Sequence, residues 1–317
     1  MRVLVTGATG LIGRHTVELL LRSGYSVRTF QRHPPSPLTH PAPVFPSGRG
    51  GKSSSAVEQV SGDVRTDVAK LGEAVRDCAA VVHLAGRGDV AESHQDPLGH
   101  AELNAHGTLN AIEAARKAQA MFVLASSQRV YAKQSEACHE DQPPAPDSPY
   151  GYTKWLAELW CRMASEQFGV TTRALRFFSV YGPGQQPNSG SGVVTIFARA
   201  AINNEPLPVL SAAQRDFTDV RDAARGIALA LQKPADGQFR VYNIATGRGT
   251  SFRALAQFII DQTGSSATIN ERIEEPQGRD LVADITRART ELDYTPCITL
   301  KQGLNDYLQW LRKHDSV

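Results

Sequence analysis

The sequence predicts an α/β protein, with a doubly wound parallel sheet and a smaller C-terminal α/β lobe. In the first half of the chain, short apolar segments rich in Val, Leu and Phe alternate with segments of helical periodicity. The apolar segments lack the two-residue alternation of half-buried strands, as expected for strands that are covered on both faces. A glycine-rich turn also joins the first of these strands to the first helix. Together these features are typical of a doubly wound fold.

Composition narrows the class of protein. A chain of 317 residues fits two packed domains, or one large domain with a lobe. The formal net charge of +2 gives no electrostatic reason to expect nucleic acid or an anionic membrane as a partner. No apolar run approaches the roughly 20 residues that span a bilayer, and the four widely separated cysteines suggest neither a disulfide framework nor a zinc site. We therefore expect a cytoplasmic protein.

The elements of the first half follow from apolar runs and helix-ending glycines. Strands are predicted at Val3–Val5, Val27–Phe30, Val81–Leu84, Met121–Ala125 and Arg173–Phe177. Helices are predicted at Leu11–Arg22, Ala101–Ala118 and Tyr150–Phe168. Gly24 and Gly169 follow two of these helices, and glycine is the usual residue just past a helix C-terminus.

Two segments interrupt this alternation, and the second half is less regular. Pro34–Ser55 and Tyr181–Gly192 are rich in Pro, Gly and Ser or Asn, which predicts surface loops. The elements expected after the second loop are helices Val193–Asn203, Arg221–Leu231, Phe252–Thr263 and Leu300–Arg312, and strands Leu207–Leu210 and Arg240–Ile244.

The turn after the first strand reads Thr6-Gly7-Ala8-Thr9-Gly10-Leu11-Ile12-Gly13. In a dinucleotide-binding turn, the first glycine allows the tight bend, the second admits a pyrophosphate and the third lets the helix pack closely. The free N–H groups at the helix N-terminus favour an anion there. The alternative is a turn with a structural role only. On the binding interpretation, residues 1–175 form a Rossmann-type dinucleotide-binding domain, 216–245 return to it, and 176–317 form most of a substrate lobe.

The end of the second strand predicts which dinucleotide is bound. An acid at this point would bind a free ribose 2′-hydroxyl, but the chain has Gln31-Arg32. Arg32, with Arg14 as a possible second cation, could pair with a 2′-phosphate, so we expect NAD(P)(H) with a preference for NADP(H). Asp63 and Val64, where a third strand should end, are candidate adenine contacts. An ordinary surface arginine and an ordinary loop aspartate are the alternatives.

Two segments contain the candidate catalytic groups. Ser127 ends a buried strand, and Pro149 is well placed to begin a helix that holds Tyr150 and Lys154 four residues apart on one face. A phenol titrates near pH 10, and neighbouring cations, Lys154 among them, would lower that pKa. Tyr150 could then exchange a proton with a substrate alcohol or ketone, while Ser127 hydrogen-bonds the same oxygen. A surface Tyr–Lys pair is the alternative.

With these residues, the chain resembles the extended short-chain dehydrogenase/reductases, also called the NAD-dependent epimerase/dehydratase family. Its later motifs resemble the nucleotide-sugar branch, especially members similar to UDP-glucose 4-epimerase. The matching motifs are Thr6–Gly13, His83–Gly86, Asn104 with Gly107–Asn110, Ser126–Tyr131, Tyr150–Lys154, Leu175–Gly184, Ser191–Val194, Arg215–Asp222, Tyr242–Gly247 and Ala283-Asp284.

The resemblance implies a role for each matching residue. The catalytic residues are Ser127, Tyr150 and Lys154. The cofactor-binding residues are Gly7, Thr9, Gly10, Leu11, Ile12, Gln31, Arg32, Asp63, Val64, Leu84, Ala85, Gly86, Asn104, Ala125, Ser126, Tyr150, Lys154, Phe177, Phe178 and Val180. The substrate-binding residues are Ser127, Ser179, Val193, Arg215 and Arg279.

We expect Asn104 to be a buried residue that positions a helix. Arg215 would reach the nucleotide diphosphate, or else pair with Asp216 or Asp219. The resemblance also implies a homodimer formed through helices that include Ala101–Ala118 and Tyr150–Phe168.

The chain departs from the family pattern at informative places. Sugar 4,6-dehydratases carry an acid pair just after the catalytic Ser or Thr, where this chain has Gln128 and Arg129, which argues against dehydration. The family's arginine before the Ala-Asp motif is missing, so a diphosphate contact is lost or shifted to Arg272 or Arg279. The favoured function is a 4-epimerase acting on a UDP- or dTDP-linked sugar, with no metal. The alternatives are an NADPH-dependent 4-keto-sugar reductase and a non-catalytic dinucleotide sensor.

Overall fold

The computed structural model describes residues 1–32, 57–186, 192–275 and 279–314. The predicted loop Pro34–Ser55, and part of the predicted loop Tyr181–Gly192, lie outside the described residues. The strands are β1 Arg2–Thr6, β2 Ser26–Gln31, β3 Glu58–Ser61, β4 Ala80–His83, β5 Met121–Ser127, β6 Thr172–Phe177, β7 Val180–Tyr181, β8 Leu207–Ser211, β9 Gln214–Asp216, β10 Thr218–Asp219, β11 Phe239–Ile244, β12 Gly249–Ser251 and β13 Ile269–Glu275.

The helices enclose these strands. They are α1 Leu11–Arg22, α2 Val68–Val75, α3 Val90–Gln95, α4 Pro97–His100, α5 Gly107–Lys117, α6 Pro149–Phe168, α7 Val193–Ile202, α8 Val220–Gln232, α9 Phe252–Thr263, α10 Thr286–Leu292 and α11 Leu300–His314. A π-helical turn at Ala101–His106 precedes α5, and a 3₁₀ turn at Gln128–Val130 follows β5.

The central sheet has seven strands, all parallel, in the order β11-β6-β5-β4-β1-β2-β3. The order reverses between β1 and β4, which is the topological switch point of a Rossmann-type sheet. The predicted doubly wound parallel sheet is therefore confirmed.

Helices cover both faces of the sheet, so neighbouring residues of one strand enter opposite cores. Val3 and Val5 of β1 pack into a cluster that includes residues of α1, α8 and α10. Leu4, between them, packs with residues of α2, α5 and α6 on the other face. A strand covered in this way needs an apolar residue at every position, which explains the uninterrupted apolar run in its sequence.

The second half of the chain adds a separate apolar cluster. Residues of α7, α9 and α11 pack there with β8 around Phe197, Leu255 and Tyr307. The strands beyond the central sheet form three two-stranded pairs, β7 with β10, β9 with β12 and β8 with β13. No helix among the described residues is both long enough and apolar enough to cross a membrane.

The structure corrects the predicted helix Ala101–Ala118. This segment is a π-helical turn followed by α5, and Asn104 lies within the turn. Asn104 exchanges hydrogen bonds with the backbone of Arg87 and donates to the Thr153 hydroxyl at 3.0 Å. These long-range contacts lie in a wide turn that local periodicity does not reveal. The elements α2–α4, α10, β7, β9, β10, β12 and β13 were not predicted.

Candidate active site

A cavity of about 1050 Å³ opens at the carboxyl ends of β1, β4, β5 and β6, beside the switch point. The glycine turn after β1 and the segment Leu84–Glu92 line one side. The end of β5 and the start of α6 line a second side, and residues of α7 and β9 line the rest together with Phe252. Doubly wound proteins usually bind their ligands in such a crevice.

The glycine turn fits a dinucleotide pyrophosphate. Gly7 has a φ of +66°, and a Cβ added there would lie 2.6 Å from the backbone of Leu84 and Ala85. A Cβ at Gly13 would lie 2.2 Å from the carbonyl oxygen of Gly7. The first turn of α1 contains no acidic residue, and Gly10 at its N-cap has no side chain to cover the free N–H groups. The turn therefore has the close backbone packing and the exposed amides that a phosphate needs.

Tyr150 lies at the start of α6, next to the end of β5. Ser148 caps this helix by accepting a hydrogen bond from the amide of Gly151 at 3.2 Å, and Pro149 occupies its first turn. Burial raises the pKa of Tyr150, whereas a hydrogen bond with Ser127 and the charge of Arg129 lower it. The end of β5 and the start of α6 thus bring together the Ser127 hydroxyl and the Tyr150 phenol, as predicted.

Lys154 is one turn further along α6. Its Nζ donates to the carbonyl oxygen of Ala125 at 2.8 Å and lies 6.0 Å from the centre of the Tyr150 ring. Burial lowers the pKa of Lys154 to about 8, with Glu158 acting in the opposite direction. That Lys154 lowers the pKa of the Tyr150 phenol stays a prediction. In this structure the charge that lowers this pKa is that of Arg129, which the sequence did not predict.

A buried ion pair beneath the site was not predicted. The Ser126 hydroxyl donates to Glu158 Oε1 at 2.5 Å, and Arg176 binds both carboxylate oxygens of Glu158, at 2.9 and 2.6 Å. This pair and the Ser126 hydroxyl link β5, β6 and α6 next to the candidate catalytic groups. The four-residue spacing of Lys154 and Glu158 was the available sequence signal, because such residues share one helix face.

Asn104 also positions two of the elements that form the site. It is 1% exposed, and its bonds to Arg87 and Thr153 fix the turn after β4 against α6. A Cβ added at Gly86 would meet Asn104 Oδ1 at 2.9 Å and Lys154 Nζ at 3.4 Å, so these two side chains are close neighbours. This geometry is that of a positioning residue.

The cavity brings together most of the predicted site residues. Its lining includes Gly7, Gly10, Leu11, Ile12, Leu84, Gly86, Ala125, Ser126, Ser127, Tyr150, Lys154, Phe177, Ser179, Val180, Val193 and Arg215. The predicted residues outside this lining are Thr9, Gln31, Arg32, Asp63, Val64, Ala85, Asn104, Phe178 and Arg279.

Several of the outlying residues have other contacts. Asp63 accepts three side-chain hydrogen bonds and one backbone hydrogen bond from Arg65. The side chains of Val64 and Phe178 are buried in apolar clusters, and the Val64 carbonyl oxygen accepts a hydrogen bond from Asn110. Arg32 is exposed just after β2, close enough for its charge to lower the pKa of Asp63.

Arg215 lines the end of the cavity nearest Phe252. One of its guanidinium nitrogens donates to the carbonyl oxygens of Gln214 and Arg279, at 2.9 and 3.0 Å, and the guanidinium lies 5.4 Å from the Phe252 ring. The two carboxylates predicted as alternative partners of Arg215, those of Asp216 and Asp219, bind other groups. Asp216 accepts hydrogen bonds from Thr246 and Gly247, and Asp219 pairs with Arg221.

The cavity also contains Gln128 and Arg129, which the sequence suggested only as replacements for an acid pair. The amide of Gln128 donates to the Ser179 hydroxyl at 3.0 Å. Ser179 has a φ of +27°, an unusual conformation for a residue with a side chain, and such strain clusters at functional sites. Within the described part of the chain, the buried Oε1 of Gln128 has no hydrogen-bond partner.

Comparisons with known proteins agree with this geometry. Over 321 residues the chain is 29% identical to a protein of Methanocaldococcus jannaschii named as a UDP-glucose 4-epimerase, with 99% of each chain covered. It is similar to the crystal structure of the UDP-glucuronic acid 4-epimerase of Bacillus cereus with UDP-glucuronic acid and NAD, at a TM-score of 0.85, 28% identity and 99% coverage of both chains.

A third protein with different chemistry is also similar. The dTDP-glucose 4,6-dehydratase of Streptomyces venezuelae, solved with NAD bound, has a TM-score of 0.84 and 26% identity, covering 99% of this chain and 98% of its own. The family model described as the NAD dependent epimerase/dehydratase family matches residues 3–245. The chain is therefore an enzyme that belongs to the NAD-dependent epimerase/dehydratase family.

Proposed function

We propose that the protein is an NAD(P)-dependent 4-epimerase of nucleotide-diphosphate sugars. The observation that carries this proposal is the meeting of Ser127, Tyr150 and Lys154 at one end of a cavity that also contains the glycine turn and Arg215. We infer that this cavity holds a dinucleotide together with a second nucleotide whose sugar is next to Tyr150.

Residues of the chain itself would transfer the proton of the sugar C4 hydroxyl. Ser127 would hydrogen-bond the C4 oxygen of the sugar, and Tyr150 would take the C4 hydroxyl proton during oxidation and return it after the keto-sugar has turned over. The nicotinamide of the bound cofactor would accept the C4 hydride and return it to the opposite face of the sugar. Lys154 adds a positive charge beside the phenol, and Gly7, Gly10 and the N-terminus of α1 would hold the pyrophosphate.

The relatives support a nucleotide sugar but differ in reaction. Two are named for 4-epimerisation, of UDP-glucose or of UDP-glucuronic acid, and one for 4,6-dehydration. The carboxylates among the described lining residues are those of Asp89 and Glu92. Asp89 caps α3, and Glu92 lies 3.7 Å from Arg87, so neither matches an acid placed just after Ser127. This arrangement favours epimerisation over elimination of water.

The cofactor and the quaternary structure are part of the proposal. NAD is the cofactor bound in the two similar structures. Arg32 favours NADP(H), and a preference for NADPH would favour the 4-keto-sugar reductase as the second candidate.

We also propose a cytoplasmic homodimer formed through α6, where Tyr152, Leu156 and Leu159 are 55%, 38% and 40% exposed on one helical face.

The experiment is incubation of the purified protein with UDP-glucose, UDP-glucuronic acid or dTDP-glucose, followed by NMR of the sugar C4 configuration. We expect one of these sugars to be converted to its C4 epimer without net consumption of cofactor. A near-ultraviolet band of reduced cofactor that survives gel filtration would support retention of the cofactor through the cycle. Stoichiometric oxidation of added NADPH by a 4-keto-sugar, with no epimer formed, would replace the proposal by the reductase.

A further inference from the structure

Among the described residues, three arginines line the cavity, and they differ in what they bind. Arg87 is 2.6 Å from Asp96 and 3.7 Å from Glu92, so its charge is compensated by two carboxylates. Arg215 donates to two backbone carbonyl oxygens beside Phe252. For the guanidinium of Arg129, no hydrogen bond or ion pair is found within residues 1–32, 57–186, 192–275 and 279–314. A half-buried cation without a counter-ion at a cavity wall favours an anionic ligand.

Arg129 belongs to the catalytic end of the cavity. It lies two residues after Ser127 in the 3₁₀ turn that leaves β5, and its amide donates to the Ser127 hydroxyl at 3.2 Å. A Cβ added at Gly151 would lie 2.4 Å from the carbonyl oxygen of Arg129, so this turn packs tightly on the first turn of α6. The charge of Arg129 also acts on Tyr150. An anion bound there must be carried by the part of the substrate that reacts.

We propose that Arg129 binds a carboxylate on the reacting sugar ring, so that the preferred substrate is a nucleotide-linked uronic acid. This inference rests on the proposed function, since it assumes that Tyr150 works on a sugar at this end of the cavity. The diphosphate of the same substrate lies beyond the sugar and away from Tyr150, on the side where Arg215 lines the cavity.

Gln128 completes the subsite. Its amide nitrogen is held by the Ser179 hydroxyl, and the buried Oε1, without a partner among the described residues, is an acceptor that a sugar hydroxyl could satisfy. An arginine beside an acceptor suits a ring with a carboxylate next to a hydroxyl. An unsubstituted hexose would leave the guanidinium without its anion.

The test is calorimetric binding of UDP-glucuronic acid and UDP-glucose to the cofactor-loaded protein. We expect the uronate to bind roughly 10- to 100-fold more tightly, as one charge-assisted pair allows, and Arg129→Gln to bring the ratio close to 1. Arg129→Lys keeps the positive charge but cannot bind a carboxylate through two nitrogens. This variant should therefore retain part of the preference for UDP-glucuronic acid over UDP-glucose. The ratio is informative because a change in Tyr150 chemistry affects both sugars alike.

The matched control is Arg162→Gln. Arg162 is an arginine of α6 outside the cavity lining, with its guanidinium 5.4 Å from the Phe239 ring, and its removal should leave the ratio unchanged. Equal binding of the two sugars by the unaltered protein, or an unchanged ratio in Arg129→Gln, overturns the inference. Epimerisation of UDP-glucose without discrimination overturns it while leaving the 4-epimerase intact. Discrimination that depends on Arg129 but comes without epimerisation overturns the proposed function alone.

Discussion

At the scale of single residues, burial moves the two main titrating groups in opposite directions. It raises the pKa of the Tyr150 phenol and lowers that of the Lys154 ammonium to about 8. Both groups lose water when buried, which disfavours the charged form of each. The charged lysine therefore persists beside a neutral phenol around neutral pH, and Ser127 and Arg129 reduce the cost of ionising the phenol.

The first residue-scale prediction concerns Tyr150→Phe. Removing the hydroxyl removes the proton carrier, so we expect the turnover number to fall by at least about 100-fold while the cofactor dissociation constant changes little. Steady-state kinetics and fluorescence titration measure the two effects. Tyr152→Phe is the control, because Tyr152 is exposed and outside the cavity lining, and it should retain full turnover. Wild-type rates in Tyr150→Phe would remove Tyr150 from the reaction.

The second prediction is a pH dependence due to Lys154. Its pKa is lowered to about 8, so the ammonium is charged below that pH and neutral above it. We expect kcat/KM to fall as pH rises through about 8, because the positive charge beside the phenol is lost. Lys154→Arg stays charged throughout and should lack this alkaline limb, even if its overall rate is lower. An identical limb in that variant would assign the titration to another group.

The third prediction separates the two dinucleotides. If Arg32 binds a 2′-phosphate, Arg32→Ala should weaken NADP(H) binding roughly tenfold and NAD(H) binding hardly at all, since one charge-assisted contact is lost. Titration of both cofactors against both proteins provides the comparison. An equal loss for the two cofactors would eliminate phosphate recognition by Arg32.

At the scale of elements, the turn between β1 and α1 depends on close backbone packing. A side chain at Gly13 would collide with a carbonyl oxygen of the same turn, whereas a Cβ at Gly72 within α2 would meet nothing within 4 Å. The same substitution therefore has opposite consequences in two helices. Sequence spacing predicted the first of these constraints, because the three glycines lie between a strand and a helix.

The corresponding prediction pairs Gly13→Ala with Gly72→Ala. Gly13→Ala should move α1 away from the turn, lowering the free energy of unfolding and weakening cofactor binding. Gly72→Ala should raise the free energy of unfolding by about 0.5–1 kcal/mol, because alanine is the better helix former. Chemical denaturation and cofactor titration test both variants. Equal stability of the two would contradict the packing argument.

At the scale of the whole molecule, α6 connects the site to the surface. Its inner face holds Tyr150, Lys154 and Glu158, all buried, whereas Tyr152, Leu156 and Leu159 are exposed on another face. Exposed apolar side chains at helical spacing are a common feature of subunit interfaces. The proposed dimer would cover them and support the helix that carries the candidate catalytic groups.

We expect Leu159→Glu to convert a dimer into a monomer, because it places a charge within the proposed apolar interface. Light scattering during gel filtration measures the mass directly. Val68→Glu is the matched control, since Val68 is a similarly exposed apolar residue on α2. A monomeric unaltered protein, or an unchanged mass in Leu159→Glu, would exclude this interface.

The sequence by itself determined the parts of the protein that local rules specify. The apolar runs predicted β1, β2, β4, β5 and β6, the helix Leu11–Arg22 has the predicted bounds, and the glycine turn and the Tyr150–Lys154 spacing marked the candidate site. These features depend on residues close together in the chain, where steric and helical periodicities leave few choices.

Only the tertiary structure decided the remaining features. The π-helical turn around Asn104, the ion pair of Glu158 with Arg176, and the approach of Arg129 to Tyr150 join segments that are distant in sequence. Burial and the neighbours of each charge set its pKa, and neither can be known before the chain has folded. For that reason the sequence indicated the candidate catalytic residues, whereas the effect of the Arg129 charge on the Tyr150 phenol was known only from the folded structure.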